Sequence, residues 1–142
     1  MYACMQAFAD LLDRLVLTPS RNGKLRLMVD YFSTAPDPDR GYALAAITGE
    51  LNIPSVKPAM IRTLMDGRMD PELFALSYDY VGDLAETVSL VWPESRGANR
   101  TPPLSEIVET LSDVTRSEAM KLVTGWLDSL DATGRWAFLK LL

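Results

Sequence analysis

The sequence predicts an all-α fold, a single domain of about nine helices. Three observations carry that prediction. Apolar residues recur at i, i+3, i+4 and i+7 along most of the chain, the spacing that puts them on one face of a helix. Serine, threonine, aspartate and proline fall where such runs begin, which is the chemistry of helix starts. No segment of useful length alternates apolar and polar residues as a half-buried strand must.

Phe8, Leu11, Leu12, Leu15 and Val16 make the first core-facing stripe. Ser20 caps a second helix with Leu25, Met28, Val29 and Phe32 on its face and Tyr31 beside them. The stretch from Thr34 to Asp39, with Pro36 and Pro38 alternating with Asp37 and Asp39, is a connector. Leu44, Ile47 and Leu51 form the next face, which stops near Gly49 and Pro54. Ser55 is placed to cap a fourth helix carrying Val56, Met60 and Leu64.

Asp70-Pro71 sets a capping carboxylate before proline at the first helical position, and Phe74, Tyr78 and Val81 follow as a face ended by Gly82. Asp83 and Glu86 have capping-box spacing ahead of Leu84, Val88, Val91 and Trp92. Residues from Pro93 to Pro103 read as a loop. Leu104, Ile107, Val108 and Leu111 resume the helical pattern. Thr115 and Glu118 make a capping box for Ala119, Leu122, Val123, Trp126 and Leu127. Asp131 caps a last helix through Trp136 and Leu139, and its apolar end without a glycine or polar tail predicts a boundary inside a longer chain.

At 142 residues the chain can bury a core of its own. Its 48% hydrophobic and 23% charged residues fit a folded domain rather than a disordered tail. No apolar run reaches the ~18 residues of a membrane helix, and the first residues lack a signal-peptide pattern. Cys4 is the sole cysteine, so no internal disulfide forms, and a reduced cytoplasmic setting is expected.

The absence of histidine removes Ser-His-Asp and Cys-His catalysis together with imidazole acid–base chemistry. No glycine-rich phosphate loop is present. Carboxylate pairs such as Asp37/Asp39 and Glu106/Glu109 fall at helix starts or on solvated faces, where capping accounts for them. Nothing in the chain is arranged as an active site or a metal site.

The formal charge of −5, from 14 basic and 19 acidic residues, opposes a nucleic-acid role taken as a sum. The distribution points the other way. Arg14, Arg21, Lys24 and Arg26 fall in a window without a carboxylate; so do Lys57 and Arg62, and Arg96 and Arg100. Arg21 and Lys24 follow Ser20, Lys57 follows Ser55, and Arg116, Ser117 and Lys121 follow Thr115. Helix starts offer unpaired N–H groups and a positive dipole end, so basic residues beside them complete phosphate sites. Ser117 and Lys121 are i, i+4 neighbours facing away from the core stripe, which suits one phosphate group.

Two stretches carry a resemblance. Arg40-Gly41-Tyr42-Ala43-Leu44 and the run from Tyr80 to Val88, with Gly82-Asp83-Leu84-Ala85 inside it, resemble the amino-terminal DNA-binding domain of ATP-dependent DNA ligases. The signature there is Gly-Asp-(Leu/Val)-Gly followed by Val-Ala; Ala85 stands in place of its second glycine. Ser20-Arg21 with Lys24, Thr101-Pro102-Pro103-Leu104-Ser105, the helix from Met120 to Leu127 and the closing Arg135 to Leu142 fall in the same order as in that domain. The phrase from Phe8 to Arg26 is similar to the opening of the bacterial branch.

The resemblance spans essentially the whole chain. It implies a helical module that grips nicked duplex DNA without sequence preference, beside catalytic domains of the same polypeptide. Those domains use ATP and magnesium to join a 5′ phosphate to a 3′ hydroxyl in DNA repair, replication and recombination. The ligase nucleophile is a lysine in Lys-x-Asp-Gly. Lys24, Lys57, Lys121 and Lys140 all lack Asp-Gly at that offset, and before Asp66-Gly67 the position is held by Leu64. An acidic all-α protein-interaction domain is the alternative; a helix-turn-helix regulator would need a basic recognition helix that is missing.

The isolated chain should therefore form no lysine–AMP adduct. After incubation with labelled ATP and magnesium, a denaturing gel should show no labelled band at 15.8 kDa. A band that vanishes when one of the four lysines is replaced would overturn this.

Overall fold

A computed structural model describes residues 5–93 and 102–142. Cys4, Arg96, Arg100 and most of the loop expected before Pro103 lie outside the described residues. Within them the chain is helical, with no strand: α1 (Met5–Leu17), α2 (Arg21–Thr34), α3 (Asp39–Ile47), α4 (Pro58–Asp66), α5 (Pro71–Val81), α6 (Leu84–Val91), α7 (Leu104–Ser112), α8 (Arg116–Ser129) and α9 (Ala132–Leu141). No helix is long and apolar enough to cross a membrane.

Several helix starts follow their sequence signals. Ser20 Oγ accepts from Gly23 N–H at 3.2 Å and Asp70 from Glu72 N–H at 2.8 Å. Asp83 accepts from Glu86 N–H at 2.9 Å and Asp131 from Gly134 N–H at 2.7 Å. At Thr115 the box closes in both directions, the hydroxyl accepting from Glu118 N–H and the Glu118 carboxylate from Thr115 N–H. Gly82 ends α5 at φ 79°, a left-handed conformation that costs a residue with a Cβ.

α9 is the central element. It packs on both α1 and α6; α1 carries α2, α6 carries α5, α3 pairs with α7, and α4 touches α5 and α8. Phe8, Met5, Met65, Leu104, Ile107, Leu111, Leu127 and Phe138 are the largest wholly buried side chains of the shared core. Trp126 meets Phe138 edge-on at 5.8 Å between centroids.

Several expectations need correction, the first being Val16, expected on the core-facing stripe of α1 but exposed at its last turn. Ser55 caps nothing: it is buried before α4, and its hydroxyl donates 2.7 Å to the Leu111 carbonyl in the last turn of α7. Lys57 occupies the N-cap of α4 without a side-chain cap, and proline at the first position removes one of the N–H groups a cap would serve. α2 buries no residue, and Leu25 and Val29 are exposed. Its inner side is instead Leu27, Met28, Tyr31 and Phe32, all half-buried, and the connector from α1 folds so tightly over its first turn that a Cβ on Gly23 would come within 2.8 Å of Thr18 Cγ2. Leu44 is likewise exposed, because α3 turns Asp39 and Ala43 inward.

Asp39 is the most instructive of these. Only 4% exposed, it lies in the first turn of α3 yet accepts from Ser105 N–H at 2.8 Å, so it caps α7 across the fold. Trp92 donates its indole N–H to Asp128 at 2.9 Å while the Arg68 guanidinium lies 4.6 Å from its ring centroid. Arg135 is 2% exposed; its Nε donates to the Ser89 carbonyl at 3.1 Å and a terminal nitrogen to the Leu130 carbonyl at 2.8 Å.

Arg135→Met keeps most of the stem but removes a charged donor from both carbonyls. Such bonds are worth ~1.5 kcal/mol or more each, so urea unfolding should show a loss of about 3 kcal/mol. The exposed Arg62→Met should stay within ~0.5 kcal/mol. A loss below ~1 kcal/mol in Arg135→Met would mean that water replaces the guanidinium.

Candidate nucleic-acid interface

Arg21 and Lys24 stand in the first turn of α2, Lys57 at the N-cap of α4, and Arg116 and Ser117 in the first turn of α8 with Lys121 one turn on. All six are exposed. Among the described residues none of the five cations is held in an ion pair, and Arg14 and Arg26 are exposed likewise, whereas several other basic side chains are engaged by the fold. Arg40 donates to the Ala35 carbonyl, Arg62 and Arg68 lie over Tyr78 and Trp92, Arg135 is buried, and Lys140 is paired with Asp83.

Two clefts organise part of this set. One, of about 440 Å³, is lined by Lys24 with Leu12, Ala46, Trp136 and Lys140. The other, of about 250 Å³, is lined by Lys57 with Asp83, Leu84, Leu139 and Lys140. Lys140, on the last turn of α9, therefore borders both. Nothing in the sequence marks Lys140 off from an ordinary charge on an apolar terminal helix; only the packing of α9 between α1 and α6 brings it beside Lys24 and Lys57. α8 lines neither cleft, so Arg116, Ser117 and Lys121 form a second cluster of their own.

The α8 cluster has the expected geometry. Glu118 folds back onto Thr115 N–H at 3.2 Å, which holds its charge at the cap. Ser117 and Lys121 face solvent, while Ala119, Val123 and Leu127 of the same helix are buried. Free N–H groups of the first turn, a hydroxyl and an ammonium then share one side, an arrangement suited to an anion.

Asp83 is more than a cap. Its second oxygen accepts from Lys140 Nζ at 2.7 Å. The Lys140 hydrogen bond, then the Glu86 N–H, hold its carboxyl below the usual carboxylate range, against partial desolvation. Lys140 is thus partly neutralised where the clefts meet, and Lys24 and Lys57 carry their uncompensated charge. Among the described residues no group of acidic or cysteine side chains is arranged to hold a metal. Compared with family models, curated proteins and solved structures, the chain matches none.

A depressed carboxyl stabilises the fold above its unfolded pKa of ~3.9 and loses that contribution as pH falls through the lower folded value. Asp83→Asn retains a capping oxygen but not the charge. Both partners are more than a third exposed, so solvent screening keeps the expected cost at pH 7 below ~1 kcal/mol. The gap between the parent and Asp83→Asn should be constant above about pH 5 and close below about pH 4. A gap that persists undiminished at about pH 2 would assign the effect to the cap instead.

Proposed function

We propose that this chain is a non-catalytic, sequence-independent duplex DNA-binding domain, the part of an ATP-dependent DNA ligase that grips nicked DNA beside its catalytic domains. The observation that carries the reading is the placing of five cations at helix starts. Arg21, Lys24, Lys57, Arg116 and Lys121 stand exposed at three helix starts with no ion-pair partner among the described residues. Phosphate oxygens are the ligand such starts suit, and contacts to phosphate carry no base information.

The resemblance around Gly82-Asp83-Leu84 supplies the ligase part of the proposal, as it does ATP and magnesium for the catalytic domains. The net charge of −5 sets the strength. Much of the negative charge lies between Met69 and Pro93, where Asp70, Glu72, Asp79, Asp83 and Glu86 occur without a lysine or arginine. Carboxylates also stand beside the basic helix starts, Lys57 sharing a cleft with Asp83, so binding is weak and strongly salt-dependent.

Fluorescence anisotropy on unrelated duplexes should give dissociation constants at the weak end of roughly 10⁻⁴–10⁻⁶ M near physiological salt. Lys121→Glu should weaken every sequence alike and lower the salt slope by about one unit, with thermal stability nearly unchanged. If Lys121→Glu binds like the parent while Lys24→Glu and Lys57→Glu lose affinity, the contact lies along the Lys140 clefts. A tenfold or larger preference for one sequence would point to a regulator, and no salt-dependent binding at all would leave the protein-interaction alternative.

A further inference from the structure

The surface also carries an apolar groove that the cationic helix starts do not use. On α5, Leu76 is 61% and Tyr80 93% exposed, and on α6 Leu90 is 62% exposed. These three line a cleft of about 340 Å³ between the two helices. Leu90 also lines a second cleft, of about 260 Å³, with Val16 of α1 and Trp136 of α9, and Val16 is itself 70% exposed. The two clefts adjoin at Leu90, and together they run across α5, α6, α1 and α9.

The charge along this groove is of one sign. Asp13 and Glu86 line the second cleft, and no lysine or arginine lines either. Neither carboxylate has an ion-pair partner among the described residues. Covering this groove with an uncharged surface would strip water from two unpaired carboxylates, which is costly. Its occupant must therefore bring cations as well as apolar anchors. A groove between helices, with no open sheet edge, takes the apolar face of an amphipathic helix.

We propose that this groove docks a basic amphipathic helix of a partner protein, its apolar side on Leu76, Tyr80, Leu90 and Val16 and its lysines or arginines on Asp13 and Glu86. A second copy is the poorer occupant, because a two-fold contact through this face would set the same carboxylates against one another. The inference does not rest on the DNA reading, since it uses a different set of side chains.

The test uses the full chain and a labelled, end-capped helical peptide with leucines at i, i+4 and i+7 flanked by lysines. A control peptide carries glutamate in place of each lysine. The lysine peptide should bind at least about tenfold more tightly than the control, and Asp13→Lys/Glu86→Lys should reverse that order. Tyr80→Ser with Leu90→Ser should abolish binding, whereas Leu25→Ser with Val29→Ser, on the other exposed apolar side chains of α2, should not. All these side chains are exposed, so melting curves should stay near that of the parent. Equal binding of the two peptides, or binding that survives Tyr80→Ser/Leu90→Ser, would overturn the proposal. So would concentration-dependent dimerisation in sedimentation that the same pair of substitutions removes, since the groove would then belong to a second copy.

Discussion

The packing turns on Arg135, a buried guanidinium that donates to the carbonyls at two helix ends. The nine short helices of the described residues leave many terminal N–H and C=O groups unpaired, and the interior where α6, α8 and α9 converge cannot supply water to all of them. Arg135 donates to the Ser89 carbonyl in the last turn of α6 and to the Leu130 carbonyl that follows α8. Its positive charge also meets the negative ends of both helix dipoles. One side chain thereby fixes where α6 stops and how α8 turns into α9, and α9 in turn seats α1.

The same solution recurs around the fold. Asp39 closes the start of α7 from α3, and Ser55 closes its end from the segment before α4. Lys140 reaches from α9 to the carboxylate that starts α6. Each bond joins residues far apart in the chain, so helix boundaries and tertiary packing are set together. It also uses up part of the basic complement inside the fold. The cations left outside include those at the starts of α2, α4 and α8.

Local signals were therefore readable in the sequence and distant ones were not. Ser20, Asp70, Asp83, Thr115 and Asp131 each cap the helix immediately after them, because that bond depends on backbone a few residues away. Ser55 and Asp39 look the same in sequence, yet their acceptor and donor lie on α7. The stripe of α7 was legible in full, Leu104, Ile107, Val108 and Leu111 all being buried. That of α2 differs because Leu25 and Val29 continue a helical repeat on a face that no neighbour covers. The exposed cations at the three helix starts were likewise legible, whereas Lys140 joined Lys24 and Lys57 only through the course of α9. The apolar groove carried no sequence signal, since Leu76, Tyr80 and Leu90 are indistinguishable from core residues until their neighbours are known.

That α2 buries no side chain fully bears on its kinetics of opening. An element held by half-covered residues has less to lose by detaching than one with a buried face, so its amides should exchange with solvent at a free energy below that of global unfolding. A ligand gripping Arg21 and Lys24 would then meet a helix whose docking is itself an equilibrium. Its apparent affinity is scaled by the docked fraction, and some of its binding free energy goes into holding α2 against α1. The beginning of the chain would then act as a hinged clasp, fastened by whatever it holds.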